Sequence, residues 1–287
     1  HLPPAHELWK PADTVLLIGS HARETLGWGV DDQMTLIKID IDPATHDLFH
    51  KPNIALTARA EETVPLLLER TAAHNRKRAS REDELLALKA SWEQQTDYLE
   101  PQKSYLNVIR EELGENGIFV DELTQVGFTS RIVYPVYHPR TYISTGYMGT
   151  LGYGFPTGLG VKVAKPDVPV ISVAGDGGFM FAVQELATAV QHHIGLITIV
   201  FNNNQYGNVQ QMQKNLYGNR VIASDLHNPD FVKLAESFGA QGLKATNPTE
   251  LRRAIQQAQQ TDLPTVIEVP VGDMPSVDRF RKLPKIR

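Results

Sequence analysis

Between Val168 and Asn208 two apolar, β-branched runs each stop abruptly at a polar cluster. The run over 168–173 gives way to Gly175-Asp176-Gly177-Gly178, and the run over 194–201 to Asn202-Asn203-Asn204. The intervening stretch, 181–191, sets Val183, Leu186, Ala187 and Val190 on one helical face. Strand, helix and strand with no hairpin turn predict a crossover unit whose two strands are parallel neighbours. The same patterning predicts strands over 14–18, 36–41, 53–56, 118–120 and 264–269. It predicts helices over 60–73, 105–113, 210–216, 230–238 and 248–259, and a small-residue helix ending at Ala164. Residues 75–100 are rich in Arg, Lys, Glu and Gln, with Leu85, Leu86, Leu88 and Trp92 at helical intervals, which predicts a charged connecting helix.

The crossover has a chemical consequence. Parallel strands present their carboxyl ends at one edge of the sheet about 4.8 Å apart, so the acidic glycine turn and the Asn cluster converge. Glycines leave backbone N–H groups bare, and a helix expected to start near Phe181 points its positive dipole end at the same spot. Asp176 and amide or carbonyl oxygens are hard ligands that hold a divalent ion such as Mg2+ together with phosphates. A metal-bridged diphosphate fits this set. An ordinary crossover unit with a glycine turn and a polar loop is the alternative.

Composition narrows the class. A chain of 287 residues, 41% of them hydrophobic, suggests about two domains with ample cores. A net charge of −5 without long charge runs offers neither a nucleic-acid footprint nor a polybasic membrane patch. No apolar run approaches the roughly 18 residues that would cross a bilayer. The absence of Cys excludes disulfides and thiolate catalysis and fits a cytoplasmic enzyme. The first residue is His1, and the chain is expected to begin within a longer protein.

The Gly175-Asp176-Gly177 turn, followed after 24 intervening residues by Asn202-Asn203, resembles the signature of thiamine diphosphate (ThDP) dependent enzymes, and the chain resembles their acetolactate synthase-like members. The resemblance implies two Rossmann-like, doubly wound parallel-sheet units. Residues 1–77 would be the second half of the middle domain, 78–100 a connecting helix, 101–271 the ThDP-binding domain, and 272–287 a tail read as a flexible cover over the site. The metal ligands would be the Asp176 carboxylate, the Asn203 side-chain oxygen and the Gln205 main-chain oxygen, with Gly175, Gly177, Gly178, Tyr206 and Gly207 around the diphosphate. Thr124 and Gln125 would occupy a loop that helps hold it, or else form a plain polar turn. In the glycine-dense run Thr145–Pro156, the Gly149 carbonyl would accept from the 4′-amino group, and Leu151 would wedge between the cofactor's two rings and force its bent shape.

Some members bind FAD in the middle domain and others bind nothing. Gly19-Ser-His-Ala-Arg23 lacks the G-x-G-x-x-G spacing of a dinucleotide site, and Arg23 reads as a solvated surface residue, so FAD is left open. His192-His193 closes a helix, where imidazole suits the negative dipole end. The resemblance implies a carboligase or lyase acting on 2-oxo acids, with a 2-oxo-acid decarboxylase or a non-catalytic cofactor-binding module as alternatives. Two departures bear on this choice: Val126 stands where acetolactate synthases usually carry His, and Met212 where they carry Trp. The family's activating Glu comes from a pyrimidine-binding domain, normally of a partner subunit in a homodimer or homotetramer. That domain is expected to precede His1; no catalytic residue is assigned here, and the chain alone is expected to be inactive.

Overall fold

The computed structural model describes residues 2–146, 148–280 and 282–287. His1, Tyr147 of the glycine-dense run and Arg281 of the tail lie outside the described residues. The chain forms two compact units, one of residues 1–95 with 278–287 and the other of residues 96–277.

The first unit holds a three-stranded parallel sheet in the order β1 (Thr14–Ile18), β2 (Thr35–Asp40), β3 (Ile54–Thr57). Its core is small: Trp9, Leu26, Trp28, Met34 and Leu36, with Leu283 and Ile286 packed against them. The expected flexible tail is instead built into this core. Ile286 N donates to the Trp28 carbonyl at 2.8 Å, and Arg287 reaches the Asp31 carboxylate at 3.1 Å. The helices Ala60–Ala72 and Glu82–Gln95 bury none of their residues. Trp92 packs edge-on to Phe280, with ring centroids 4.6 Å apart. Arg23, exposed, lies over the Phe49 ring rather than beside a phosphate cradle.

The second unit is a six-stranded, all-parallel sheet. Its strands are β4 (Ile118–Val120), β5 (Tyr142–Ile143), β6 (Val170–Gly175), β7 (Ile197–Asn202), β8 (Gln241–Lys244) and β9 (Thr265–Pro270), in the order β5-β4-β6-β7-β9-β8. Both faces are covered, which is why β6 and β7 read as continuous apolar runs rather than alternating ones. Ile171, Val173, Ile197, Ile199, Ile267 and Val269 pack on one face beneath the helices Gln102–Leu113 and Pro248–Ala258. Val170, Ala174, Val200 and Val266 pack on the other, beneath Gly154–Ala164, Leu186–Gln191 and Phe231–Phe238.

The order of strands places the site. From β4 the chain moves outward to β5 through the helix Gln125–Val133, then returns past β4 to β6 through Gly154–Ala164. Val126 of the first crossover packs in one core and Phe155 of the second in the opposite one. The strand order therefore reverses between β4 and β6, and a crevice opens at their carboxyl ends.

Two expectations need correction. The helix after β6 starts at Asp176 rather than near Phe181, as the short helix Asp176–Met180, a 3-10 turn and Leu186–Gln191. The edge strands β5 and β8 and the helix Gln125–Val133 carry no clear pattern and were not anticipated.

Ile171→Ala, at a fully buried position, is expected to cost about 3 kcal/mol, read as a fall in the urea midpoint.

Candidate diphosphate and metal site

Three chain segments leave the sheet at the crevice, and each starts a helix there. Thr124 is the residue before the helix Gln125–Val133, Gly175 before Asp176–Met180 and Tyr206 before Gly207–Leu216. None of the three uses its side chain to cap its helix, and residues at all three helix starts line a common space, where positive dipole ends meet. That space is a cavity of about 180 Å3. It is lined by Thr124, Gln125, Leu151, Gly175, Asp176, Gly177, Gly178, Asn203, Gln205, Tyr206 and Gly207, with Leu123, Phe201, Val209, Val271 and Met274 as its apolar wall. Among the described residues no Lys or Arg lines it. Gly149 is not on its wall; that residue packs against Leu123, which is.

The glycines of the turn are required by close approach. A Cβ on Gly177 would strike the Tyr206 ring, and one on Gly178 the carboxyl of Glu122. The Asn cluster divides into separate roles. Asn202 is buried and donates to Glu268 Oε1 at 2.8 Å. Asn203 faces the cavity. Asn204 takes the left-handed conformation (φ 55°) that turns the chain back, which Asn tolerates better than most residues.

Asp176 is 2% exposed, and its Oδ2 accepts from Asn228 Nδ2 at 2.6 Å. Burial raises its pKa, opposed by the N–H of Gly177, the Asn228 amide and the N–H groups of Asn204 and Gln205. The same Asn228 amide lies 3.0 Å from Asn202 Oδ1 and 3.3 Å from Asn204 Oδ1. Asn203 and Gln205 line the cavity beside Asp176, and the Gln205 carbonyl accepts from Gly207 N at 2.9 Å. Among the described residues no group of three or more His, Cys, Asp or Glu could hold a metal ion.

Comparison with known proteins agrees with this geometry. Residues 123–269 match the family described as thiamine pyrophosphate enzyme, C-terminal TPP binding domain. The chain belongs to the thiamine pyrophosphate enzyme family. Within it the chain is acetolactate synthase-like. It is 30% identical to an acetolactate synthase of Bacillus subtilis (strain 168), over 98% of this chain and 51% of that protein. It is 32% identical to an acetolactate synthase large subunit of Corynebacterium glutamicum, over 91% of this chain and 44% of that one. With the mitochondrial acetolactate synthase catalytic subunit of Aspergillus candidus, identity is 42% over 46% of this chain and 19% of the relative. The chain spans about half or less of the length of these relatives. No described helix is long and apolar enough to cross a membrane.

His192 and His193 are exposed and sit ahead of the first residue of β7, at the edge opposite this family's cofactor end. Two polar residues of the site were missed from sequence. Asn228 belongs to a loop remote in the chain, and no spacing rule points to it. Glu122 carried a signal: a carboxylate two residues beyond a buried strand that neighbours β6. It is fully buried, and its Oε1 accepts from Gly152 N at 2.6 Å.

Burial raises the Glu122 carboxyl to about 7, against the opposing pull of the Gly152, Gly154 and Tyr153 N–H groups; the Asp121 charge adds to the rise. Between the unfolded value of 4.5 and about 7 the folded state holds the extra proton. Stability from this group is therefore full below 4.5 and lost as pH rises through 7. Glu122→Gln removes the titration. Relative to the variant, the wild type is expected to lose up to about 3 kcal/mol between acidic and neutral pH, measured by urea unfolding across pH; parallel pH profiles for the two proteins would refute this.

Proposed function

We propose that this chain supplies the diphosphate- and metal-binding half of the active site of an acetolactate synthase-like carboligase or lyase acting on 2-oxo acids, with ThDP and Mg2+ as cofactors. One observation carries the reading: helix N-termini and a hard oxygen set converge on a single cavity at the sheet's switch point. The fit is chemical as well as spatial. An anion seated here would lie against the buried Asp176 carboxylate, and among the described residues no Lys or Arg lines the cavity, so a divalent cation is needed between them. Asp176, Asn203 and the Gln205 carbonyl would hold that cation, and Thr124, Gln125, Gly175, Gly177, Gly178, Tyr206 and Gly207 the diphosphate.

Bound there, ThDP would supply a thiazolium carbon that adds to a 2-oxo acid and accommodates the electrons released with CO2. The chain's own part is to anchor, bend and exclude water. Leu151, in the cavity wall, would be the apolar wedge that bends the cofactor, and Gly149, off that wall, would offer its carbonyl to the aminopyrimidine. Leu123, Phe201, Val209, Val271 and Met274 keep that side dry. A cavity of about 180 Å3 encloses only part of a ligand, since sites that bury a drug-sized molecule run to about 300 Å3 and more. The reading accordingly takes the rest of the site, including the activating Glu, from the pyrimidine-binding domain of a partner subunit in a homodimer or homotetramer.

Val126 and Met212 favour a second product. Val126 is fully buried and Met212 exposed on the helix Gly207–Leu216, and neither offers the His or Trp by which the resemblance would shape an acceptor site. Capture of the intermediate by a proton would make the enzyme a 2-oxo-acid decarboxylase. With pyruvate and the assembled enzyme, acetolactate as product supports the carboligase and acetaldehyde the decarboxylase.

Calorimetric titration tests the site itself. ThDP is expected to bind this chain saturably only with Mg2+, and Asp176→Ala to weaken binding at least about 100-fold, the loss of a ligating carboxylate being worth about 3 kcal/mol or more. Binding that ignores Mg2+ or survives the substitution would refute the proposal.

A further inference from the structure

Glu122 is placed where a carboxyl is costly to bury, and the structure shows what it does there. The residue is fully buried, two positions beyond β4 and outside the lining of the cavity. Its Oε1 accepts from Gly152 N at 2.6 Å. The helix that follows, Gly154–Ala164, begins after Tyr153, whose side chain provides no cap. The N–H groups of Gly154 and Tyr153 also lie toward the same carboxyl and partly offset the rise in its pKa that burial causes. Glu122 Oε2 is buried without a hydrogen-bond partner, so the contact this carboxyl makes is to the peptide just before the helix.

Its other side touches the glycine turn. A Cβ on Gly178 would fall on Glu122 Oε1, and one on Gly154 would lie 2.9 Å from Oε2, so glycine at both positions makes room for this carboxyl. Gly152 itself is held in the left-handed region (φ 77°), with its open side against Phe181. The N–H that Glu122 grips belongs to the peptide joining Leu151 to Gly152. One buried carboxyl therefore touches both the Leu151–Gly152 peptide and the Gly175–Gly178 turn, and Leu151 and that turn both line the cavity.

We infer that Glu122 is a positioning residue for the cofactor: it sets the distance and orientation of Leu151 relative to the diphosphate turn, and so the bend available to a ligand seated on both. This rests on the function proposed above. A carboxyl that only stabilised the fold would affect every ligand of the cavity alike. A positioning residue acts on the ring-bearing part of ThDP and spares the diphosphate, whose N–H donors and metal oxygens belong to other residues.

The test compares two probes, ThDP with Mg2+ and inorganic diphosphate with Mg2+, by calorimetry on the full chain and three variants. Glu122→Met keeps the volume but removes the acceptor. It is expected to weaken ThDP about tenfold or more while diphosphate stays within about twofold, because Gly152 N then loses its buried acceptor. Glu122→Gln retains an oxygen for Gly152 N and is expected to keep ThDP within about threefold of the wild type. Equal ThDP affinity in Glu122→Met and wild type, or equal losses for the two probes, would overturn the inference. If Glu122→Met does not fold, Glu122→Asp decides: its carboxyl falls one methylene short, so a selective loss of ThDP supports the role and an unchanged affinity removes it. Wild-type protein that binds neither probe with Mg2+ would instead overturn the proposed function.

Discussion

The reversal of strand order between β4 and β6 is the constraint on which the site depends. At every other junction in this sheet a crossover helix lies over the neighbouring strands, but here the two crossovers leave toward opposite faces. Nothing in the regular packing can close the gap between them. The backbone groups at its rim would be unsatisfied in a dry interior, so the crevice is either hydrated or occupied by a polar ligand.

Around that gap the protein gathers negative charge. Asp121, Glu122 and Asp176 are all essentially buried, and burial raises the pKa of each. Asp121 is paired with Arg131 at 2.8 Å and with the Tyr142 hydroxyl at 3.0 Å. Glu122 is held by backbone N–H groups, and Asp176 by N–H groups and an Asn amide. The three carboxylates thus differ in what remains open to a ligand. Asp121 gives one oxygen to its Arg and Tyr and Glu122 one oxygen to Gly152 N, and of the three only Asp176 lines the cavity. A polar chain extends away from it, from Asp176 through Asn228 and Asn202 to Glu268 and then Lys244 at 3.4 Å. This chain ties the end of β6 to the ends of β7 and β9 and holds the loop carrying Asn203 and Gln205 at a fixed height above the sheet.

The two units are supported to different degrees. In the larger one, strands carry large cores on both faces, and the loops of the site rest on rigid elements. In the smaller one, β3 is exposed along its whole length and the helix after it buries nothing, while the end of the chain folds back to complete a modest core around Trp9 and Trp28. The Leu and Ile pattern of 14–18 and 36–41 marks strands correctly, but pattern does not reveal which strand faces will be covered.

The elements that sequence determined are those whose information is local. Apolar runs of β-branched residues make strands wherever they occur, Asn247 and Asp230 cap helices through their own side chains, and the Gly175–Gly178 turn with the Asn cluster declares its chemistry through residue type and spacing. From these, the parallel neighbours β6 and β7, the cofactor class and most of the cavity's lining were legible. Tertiary structure decided whatever depends on residues distant in the chain. Two-residue β5 and the polar-edged β8 are strands only because neighbours offer them hydrogen bonds; Asn228 reaches Asp176 across 52 positions, and Glu122 accepts from Gly152 N across 30. The physical reason is that a carboxyl or amide is soluble in any local context. Its burial becomes favourable only when folding brings donors to it, and no periodicity in the sequence records which donors those will be.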